Sequence, residues 1–523
     1  MDTRAQIGTA STTNRAGSAF LFTRRVCRMN VILADAPTLG IGKLQQSPNL
    51  GILCISAYLK RSIPGTNVHY IPEKYPLSYH LELIRTHDIT IYGISFTSYS
   101  ALRAYATIKA LKSVYPKLII ICGGPHTSAV PTEVALQSGV DACVIGEGEV
   151  TFAELVEKSS DFPAALSGIA GIAYNHDGRC VINPPRPFQS DLEDFPYPDR
   201  TLVKDEDFAG LPLHRGKMTA EMVVTRGCPY RCIFCSNPVF RPEEIKRKHE
   251  DFSGVKLALS AVGRSLRMRS PASIANEASL LYELGYREIY LHSDELNCDE
   301  PWAIAVCDAL ADLNHKDLFF QTNIRADKVS EAFAAALKRM NMWLVRLGIE
   351  SSSPRVMDAQ RKKVSLEEVE QACRILSSHG LMVFGYFMMF QFWESAGKLE
   401  CETEEEVCRT IDFAETLARR KHLHYIGWSV ATPIQGAAMY NIAQRHGLID
   451  KAFYPSQRWH LCRHINTVSE HGFNRALKRG LRLQAKLALR NGGVGWGNWR
   501  RILAKSLRLT FGNYAPKISD FNG

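Results

Sequence analysis

Short apolar segments alternate with amphipathic helical patterns between residue 30 and about residue 150. The predicted strands lie at residues 31–33, 68–71, 89–96, 118–122 and 142–145, with helices at 50–61, 101–115 and 132–138. Strands that alternate with helices are typical of a doubly wound, Rossmann-like α/β domain with a parallel sheet. Because ligands of such sheets bind beyond the carboxyl ends of the strands, we expect a binding site in the loops that follow them.

A second α/β series begins after residue 216. Its predicted strands lie at residues 221–225, 288–291, 318–321, 343–349, 382–389 and 424–430, with helices at 273–284, 327–339 and 366–378. Six β/α units are fewer than the eight of a complete barrel and predict a partial (β/α)6 barrel. Chemistry on such a barrel is expected at the carboxyl ends of the strands.

The remaining segments have other patterns. Prolines among acidic residues between the two α/β regions predict an ordered linker. The first 28 residues are rich in Ser, Thr, Ala and Arg and predict a disordered leader, with a transit peptide as the alternative and Met29 as an alternative start. The predicted organisation is a leader at 1–28, a Rossmann-like domain at 29–160, a linker at 161–215, the barrel at 216–450 and a helical region at 451–523.

The C-terminal region is basic, with ten Lys and Arg residues and no Asp or Glu between residues 471 and 510. Such a run could bind nucleic acid or anionic lipid, but we favour a basic helical face that is solvated or packs on an acidic neighbour. No specific nucleic-acid partner is therefore expected. An apolar row at helical spacing predicts the docking face of this helix, made of Leu477, Leu481, Ala485 and Leu489.

The amino-acid composition indicates in which cellular compartment the protein is expected. The 523-residue chain has an ordinary hydrophobic content of 46%. Its most apolar long stretch, residues 381–393, is too short to cross a bilayer, so we expect no transmembrane segment. Fourteen scattered cysteines without a signal-peptide pattern favour a reducing cytoplasm over a disulfide framework.

Three of these cysteines, Cys228, Cys232 and Cys235, stand at CxxxCxxC spacing directly after a predicted barrel strand. Three thiolates on one loop can hold three irons of a cubane iron–sulfur cluster and leave the fourth iron open for a substrate. A zinc knuckle or buried free thiols are the alternatives. Zinc normally takes four ligands, and the nearest spare candidate, His249, follows a highly charged stretch, so the cluster is the favoured interpretation.

The cysteine triplet, with Phe234 before its last cysteine, resembles the signature of radical S-adenosylmethionine (SAM) enzymes. The resemblance implies a 4Fe-4S cluster whose open iron chelates the amino acid end of SAM. One electron, supplied by a reducing partner such as flavodoxin or ferredoxin, would then cleave SAM to a 5′-deoxyadenosyl radical. The chemistry would belong to the cofactors, and the protein would position them and exclude water.

Polar residues follow the predicted barrel strands where this family binds SAM. Arg325 suits a carboxylate because its guanidinium can pair bidentately, although each such residue alone is as often a helix cap or turn residue. The contacts that the resemblance implies are Phe234, Asp294, Glu295, Gln321, Arg325, Glu350 and Ser351. Residues 390–394 depart from the family's glycine/proline turn and are a candidate for part of the substrate pocket.

The N-terminal half resembles the cobalamin-binding domain of one branch of these enzymes, through the segments PNLG at 48–51, GIS at 93–95, GGPH at 123–126 and GEGE at 146–149. The implied cobalamin contacts are Pro37, Ser95, Thr97, Gly123, Gly124, Pro125, His126, Gly146, Glu147 and Gly148. Pro37 stands where other cobalamin proteins carry a histidine, so cobalt is expected to lack that ligand. The alternative is a flavodoxin-like docking domain without a cofactor.

Together the two resemblances imply a cobalamin-dependent radical SAM methyltransferase acting on an unactivated carbon or on phosphorus of a small molecule. In that chemistry one SAM methylates cobalamin and a second SAM generates the radical that activates the substrate. One alternative keeps both cofactors but forms a ring, rearranges or oxidises the substrate without methyl transfer. The other is a cobalamin-binding regulatory protein whose cluster is structural.

Overall fold

The structure is a computed structural model that describes residues 29–36, 46–208, 210–211, 213–237, 266–449, 453–454 and 468–491. The leader predicted at residues 1–28 lies outside the described residues, and so do Pro37 and His249. Two separate sheets, one mainly and one entirely parallel, confirm the predicted α/β fold class.

A seven-stranded sheet forms the N-terminal domain. Its strands are β1 (Asn30–Asp35), β2 (Asn67–Ile71), β3 (Ile91–Ser95), β4 (Ile119–Gly123), β5 (Ala142–Val144), β6 (Ile172–His176) and β7 (Arg179–Ile182). Their order is β2-β1-β3-β4-β5-β6-β7, and β1 to β5 are parallel. The helices are α1 (Leu50–Ser62), α2 (Leu77–His87), α3 (Ala101–Val114), α4 (Pro125–Ala129), α5 (Pro131–Ala135) and α6 (Glu149–Glu157).

This sheet is covered on both faces, which explains its continuous apolar strands. In β1, Val31 and Leu33 pack into one apolar cluster, while Ile32 and Ala34 pack into another on the opposite face. The side chain of Asn49 caps the first helix by accepting a hydrogen bond from the amide of Ile52. Helix α1 therefore begins directly beside the carboxyl ends of the central strands.

The segment predicted as a linker, residues 161–215, is a linker only in part. Strand β6 pairs antiparallel with β5, and β7 pairs antiparallel with β6, so two strands of this segment extend the N-terminal sheet. The prediction missed them because Asp177 and Gly178 form a tight turn with positive φ between two very short strands. The later part of the segment, including Phe188 and Phe195, runs along the boundary with the barrel.

The second domain contains six parallel strands in the order β17-β14-β13-β12-β11-β8, which confirms the partial barrel. Two antiparallel pairs, β9 with β10 and β15 with β16, lie outside this sheet. The strands are β8 (Thr219–Val223), β9 (Thr225–Arg226), β10 (Arg267–Met268), β11 (Glu288–His292), β12 (Phe319–Ile324), β13 (Met342–Glu350), β14 (Met382–Met389), β15 (Phe392–Ser395), β16 (Lys398–Cys401) and β17 (Tyr425–Val430).

Helices cover the outside of this sheet. They are α7 (Pro271–Glu283), α8 (Glu300–Ala311), α9 (Glu331–Arg339), α10 (Pro354–Ala359), α11 (Leu366–Ser378), α12 (Glu404–Arg419), α13 (Ala438–Arg445) and α14 (Glu470–Asn491). Ser365 and Thr403 start α11 and α12 with complete capping boxes, each closed by a glutamate three residues later. No helix in the described ranges is both long enough and apolar enough to cross a membrane.

The amino-terminal end of the barrel is plugged by side chains. Glu288 is fully buried and accepts hydrogen bonds from Trp343 Nε1 at 2.8 Å and from the side chain of Gln321. Gln321 also donates to the carbonyl of Leu213 at 2.7 Å. Gln321 is the third residue of β12 rather than its last, so the structure places this predicted SAM contact in the plug and away from the barrel mouth.

The basic helix α14 docks on α12 and β17, but on a different face from the one predicted. Phe473, Ala476 and Leu483 are buried, whereas Leu489 is 66% exposed. The prediction followed the leucine row and overlooked small residues. A Cβ at Gly480 would lie 2.7 Å from Met389 Cε, so this glycine permits the close approach that sets the docking face.

The charge of α14 is partly neutralised where it docks. Arg475 forms an ion pair with Glu404, and Arg479 forms one with Asp412 and another with Glu415. All three acids belong to α12. These contacts agree with the favoured interpretation, in which the basic helix packs on an acidic neighbour.

Candidate functional site

A cavity of about 680 Å³ lies between the two domains. Its N-terminal wall contains Ser95 and Gly123, the last residues of β3 and β4, and Gly146, which lies two residues beyond β5. Its opposite wall contains Arg226 and Cys228 from the start of the cysteine loop. One space thus connects the strand ends of the Rossmann-like sheet with the cysteine loop of the barrel.

Glycine gives the N-terminal wall its shape. Gly124 has φ of +92°, and a Cβ at this position would lie 2.8 Å from Ser95 Oγ and 2.9 Å from the carbonyl oxygen of Phe96. By contrast, a Cβ at Gly123 would meet no atom within 4 Å and would project into open space. The backbone of this loop can therefore approach a large flat ligand closely. This geometry fits cobalamin.

The other predicted contacts in this domain mostly reach the same cavity. Its lining includes Ser95, Thr97, Gly123, Gly124, Pro125, Gly146, Glu147 and Gly148. Asp35 also lines it and is fixed there, since Asn49 Nδ2 donates to Asp35 Oδ1 at 2.7 Å and the Tyr70 hydroxyl donates to Oδ2 at 2.5 Å. Sequence reasoning noted the loop after β1 but did not assign Asp35, Asn49 or Tyr70.

His126 is the exception among the predicted cobalamin contacts. Its imidazole is fully buried, outside the residues that line the cavity. Its Nδ1 lies 2.9 Å from Ser98 Oγ, its Nε2 lies 3.1 Å from the Tyr105 hydroxyl, and Glu133 is 3.6 Å away. The helix that begins at Pro125 turns the side chain back into the domain, so this imidazole is occupied elsewhere.

Two glutamates of the GEGE segment join the domains. Glu149 is 4% exposed and forms a 2.5 Å ion pair with Arg226, whose guanidinium is held over the ring of Phe195. Glu147 forms ion pairs with Arg267 and, at 3.5 Å, with Arg226. The acids hold the pKa of Arg226 above its usual value, and Arg226 holds that of Glu149 below its own although burial opposes this.

We call these four residues, Glu147, Glu149, Arg226 and Arg267, the interdomain clamp. Arg226 is two residues before the first cluster cysteine, so the clamp ties the cysteine loop to the N-terminal domain. Sequence reasoning read the GEGE segment only as a cobalamin loop. Two arginines facing it across the domain boundary could not be identified without the fold.

The cysteine loop itself is anchored by backbone hydrogen bonds. The amide of Ile233 donates to the carbonyl of Gln360 at 3.1 Å, and its carbonyl accepts from the amide of Met439 at 2.9 Å. Ile233 also packs into an apolar cluster with Phe392 and Trp393. The unusual 390–394 segment therefore supports the cysteine loop and contains the start of the hairpin β15–β16, while its role in a substrate pocket stays a prediction.

The three cysteines are half-buried thiols suited to a cluster. Burial raises the pKa of Cys228 to about 11 and also raises the pKa values of Cys232 and Cys235. The positive charges of Lys362 and Arg325 act in the opposite direction on Cys232. Buried thiols are inert toward solvent, and bound iron supplies the positive charge that stabilises their thiolates.

The zinc alternative requires a centre built for a single ion, because zinc gathers its ligands around one point. Within the described ranges, no three His, Cys, Asp or Glu side chains come close enough together to hold a single metal ion. The cysteines of a cubane each bind a different iron, so a cluster does not require them to surround one ion.

Asp294 and Glu295 follow β11 and have different environments. Asp294 accepts from the amide of Gly227 at 2.7 Å and from Asn237 Nδ2 at 2.6 Å, so it anchors both ends of the cysteine loop. Glu295 is 5% exposed, and its Oε1 has no hydrogen-bond partner among the described residues. Burial raises the pKa of Glu295 to about 7. This open carboxylate fits the ammonium group of SAM.

The guanidinium group of Arg325 makes most of its contacts within the protein. Its Nε and Nη2 pair with Asp327 at 2.9 and 3.1 Å, and Nη2 also donates to the carbonyl of Lys362 at 2.8 Å. The guanidinium carbon lies 3.6 Å from the centre of the Tyr230 ring in the cysteine loop. The structure therefore gives Arg325 a role in supporting this loop, in addition to the predicted carboxylate contact.

The end of β13 carries the last predicted contacts. Glu350 has φ of +67° and lies 3.3 Å from Lys362 Nζ, which in turn is 5.9 Å from the ring centre of Phe234. Ser351 is fully buried and donates to Glu402 at 2.9 Å. Glu350 and Phe234 thus lie beside the cysteine loop, whereas the hydroxyl of Ser351 faces the protein interior.

Comparison with known proteins agrees with both halves of this site. The chain matches the B12 binding domain family over residues 44–156 and the radical SAM superfamily over residues 222–396. An uncharacterized methyltransferase of Pyrococcus horikoshii is 26% identical over 407 residues, covering 77% of this chain and 80% of that protein. An anaerobic magnesium-protoporphyrin IX monomethyl ester cyclase of Rubrivivax gelatinosus is 25% identical over 363 residues, covering 67% and 58%.

Solved structures share the fold. TsrM of Kitasatospora setae, with cobalamin and a 4Fe-4S cluster bound, superposes with a TM-score of 0.59 at 14% identity, covering 92% of this chain and 99% of TsrM. The chain thus combines a B12 binding domain with a radical SAM domain, and it shares its fold with TsrM, which binds cobalamin and a 4Fe-4S cluster. It is a radical SAM enzyme whose cofactors are cobalamin, SAM and a 4Fe-4S cluster.

Proposed function

We propose that this protein is a methyltransferase that moves a methyl group from SAM, by way of cobalamin, to an unactivated carbon or a phosphorus atom of a small molecule. The observation that carries the proposal is the single cavity that reaches from the glycine loops of the N-terminal sheet to Cys228. Methyl transfer through cobalamin requires the two cofactor sites to face the same substrate, because reacting atoms must be held close together.

When bound, the cluster and SAM supply a radical able to remove hydrogen from an unactivated C–H bond, and cobalamin carries the methyl group. The protein orients these groups and excludes water. Cys228, Cys232 and Cys235 would hold the cluster. The interdomain clamp keeps the N-terminal wall of the cavity in place against the cysteine loop.

Within this proposal, Glu295 binds the ammonium group of SAM, because it is a buried carboxylate with one oxygen that accepts no hydrogen bond from the described residues. Phe234 and Glu350 form the edge of the SAM site beside the cysteine loop. Asp294 and Arg325 act mainly by fixing that loop.

The N-terminal wall would hold cobalamin through backbone contacts at Ser95, Gly123, Gly124 and Gly146. The imidazole of His126 would not bind cobalt, because it is directed into the domain and bonded there.

A second candidate function is ring formation with the same cofactors. It is favoured by one observation, the 25% identity over 363 residues to a protein named as a cyclase. Methyl transfer is preferred because the Pyrococcus horikoshii relative, with a slightly higher identity of 26% over 407 residues, is named as a methyltransferase.

The test is to supply SAM with a deuterated methyl group to the reconstituted enzyme and a panel of small molecules, with and without cobalamin. Each methylated product should contain the deuterated methyl group and should form together with one S-adenosylhomocysteine and one 5′-deoxyadenosine. Without cobalamin, S-adenosylhomocysteine should be lost while some deoxyadenosine still forms. Substrate conversion with neither added methyl mass nor S-adenosylhomocysteine would reject methyl transfer in favour of the ring-forming candidate.

The proposal also includes a one-electron donor such as flavodoxin or ferredoxin, because SAM cleavage requires reduction of the cluster. A cytoplasmic location follows from the same argument, since free thiols and an oxygen-sensitive cluster persist in a reducing compartment.

A further inference from the structure

Arg346 lies inside the barrel, in the middle of β13. Its neighbours Val345 and Leu347 are fully buried in the core beneath the outer helices. Because side chains alternate along a strand, Arg346 faces the barrel lumen. Its guanidinium carbon is 5.0 Å from the ring centre of Tyr290 and 5.8 Å from that of Phe384.

This arginine is buried without an acid. It is 6% exposed, and its Nη1 atom has no hydrogen-bond partner among the described residues. Nor does Arg346 form an ion pair with any carboxylate that the structure describes. An arginine remains protonated in a protein, so an uncompensated positive charge in this position is costly.

Other buried arginines of the chain are compensated. Arg269 pairs with Glu277, Arg267 with Glu147, and Arg325 with Asp327. Buried charges in proteins are normally paired in this way. The buried positive charge of Arg346 therefore has room for an anionic partner from outside the described chain.

The surroundings of Arg346 can complete a binding site. Asn323 is the register partner of Arg346 on β12, and the Oδ1 atom of Asn323 has no hydrogen-bond partner in the part of the chain that the structure describes. Tyr290 lies below the guanidinium group, and Tyr386 on the other side is 40% exposed. Since Tyr386 shares the lumen row with Phe384, its exposure means that solvent reaches this part of the barrel.

We infer that Arg346 binds an acidic group of the substrate, a carboxylate or a phosphoryl group, inside the barrel lumen. Tyr290 and Asn323 lie beside this site, and the aromatic rings of Phe384 and Tyr386 flank it. A guanidinium group matches both kinds of anion because its parallel N–H groups bind two oxygens at once. This inference rests on the proposed function, since it names the substrate class of the same catalytic site.

The position along β13 adds a constraint on substrate size. Arg346 is four residues before Glu350, which corresponds to about 13 Å along a strand. The acidic group would therefore sit deeper than the SAM contacts, and the atom that receives the methyl group would lie nearer the mouth. The inferred substrate is an organic acid, or a phosphate or phosphonate, whose reactive atom is well separated from its anionic end.

Fluorine NMR with three small probes tests this inference without turnover. The probes are para-fluorobenzoate, para-fluorophenylphosphonate and the neutral para-fluorobenzamide, each titrated into anaerobic holoenzyme with an oxidised cluster, cobalamin and saturating SAM. We expect at least one acid to bind about tenfold or more tightly than the amide, since hydrogen bonds to charged groups are the stronger ones. The tighter acid identifies the carboxylate or the phosphoryl group as the substrate's anion.

Three variants locate the binding. Arg346→Met should lose the preference for acids, Arg346→Lys should keep part of it, and Arg374→Met, on the exposed surface of α11, should behave as the wild type. Arg346→Met should fold, because replacing an unpaired buried charge with an apolar group is neutral or stabilising. Should it fail to fold, unchanged affinities of Arg346→Lys for both acids would overturn the inference, because lysine lacks the bidentate geometry.

Three other results would overturn it: equal binding of amide and acids by the wild type, an acid preference that survives in folded Arg346→Met, or an acid preference that appears only in a parallel titration without SAM. The last result would mean that Arg346 holds SAM instead of substrate. None of these outcomes depends on methyl transfer, so failure of this inference is distinguishable from failure of the proposed function.

Discussion

The two parallel sheets present different surfaces at their carboxyl ends. The N-terminal sheet ends in Gly123, Gly124 and Gly146, where backbone and small side chains border the cavity. The barrel ends in charged groups with shifted pKa values, including Glu295 and Lys362. One sheet thus offers space to a large cofactor, whereas the other offers charge. The same parallel architecture can therefore bind a ligand through steric fit or through charge, according to the side chains at its strand ends.

The largest effect is expected from removing a cluster thiol. This change should abolish SAM cleavage at the barrel and leave cobalamin binding at the other sheet intact. Cys232→Ala should abolish 5′-deoxyadenosine formation after anaerobic reconstitution with iron and sulfide, while cobalamin still binds. The control is Cys307→Ala, because Cys307 is buried in α8 away from the loop. Full SAM cleavage by Cys232→Ala would refute the assignment of the cluster.

The interdomain clamp is the link between the two surfaces. Glu149→Gln leaves Arg226 buried with a weaker partner, and we expect a loss of about 3 kcal/mol in the free energy of unfolding, measured with urea. Glu405→Gln is the matched control, because its pair with Arg409 is exposed and should contribute little. Equal effects of the two substitutions would show that the clamp does not hold the domains together.

The charged character of the barrel mouth should appear as a pH dependence. Glu295 has its pKa raised to about 7 by burial, so it is mostly protonated below this pH and charged above it. If it binds the ammonium group of SAM, the affinity for SAM should rise as the pH increases through 7. Glu295→Gln should remove this dependence and weaken binding about tenfold at pH 8, as measured by equilibrium dialysis.

Glu402 provides the comparison for Glu295. Its pKa is also raised to about 7, but Ser351 Oγ and the amide of Gln391 already donate to its oxygens. A carboxyl with a raised pKa stabilises the fold at low pH and loses that contribution as the pH rises through 7. Glu402→Gln should therefore flatten stability against pH without changing the pH dependence of SAM binding. A changed SAM profile in this variant would remove the distinction between the two acids.

A smaller effect on cobalamin binding is expected from a change in the steric fit of the N-terminal sheet that leaves its charges unchanged. Gly124→Ala introduces a Cβ in a left-handed conformation against Ser95 Oγ and Phe96, which costs about 1–3 kcal/mol and should weaken cobalamin binding. Gly178→Ala is the control, since its φ is also positive but a Cβ there meets nothing within 4 Å. Spectroscopic titration with cobalamin checks both variants. Unchanged affinity in folded Gly124→Ala would contradict the glycine-shaped wall.

The sequence predicted local features better than relations across domains. The periodicity of apolar residues located β14 and α11 at their observed bounds, and it located the other main strands to within a few residues. The cysteine spacing identified the loop. The pairing of Arg226 and Arg267 with the GEGE segment depends on two surfaces more than 70 residues apart, so no local pattern could show it.

Position within a strand explains most of the differences at the site. Gln321 was predicted at a strand end, but β12 continues to Ile324 and leaves Gln321 in the plug. Arg346 was overlooked because a lone arginine in an apolar strand has no motif. Its inferred role in binding an acid depends on its burial and on the absence of an acid partner in the part of the chain that the structure describes.

Methyl transfer by this enzyme requires cobalamin and the cluster to share one cavity. Electron spin resonance of cobalt(II) cobalamin in the holoenzyme, recorded before and after reduction of the cluster, measures their proximity. We predict that the reduced cluster speeds relaxation and broadens the cobalt signal, that Cys232→Ala protein shows no such change, and that no protein imidazole couples to cobalt. Two signals that add without any interaction would contradict a shared cavity, and with it the methyl transfer proposed here.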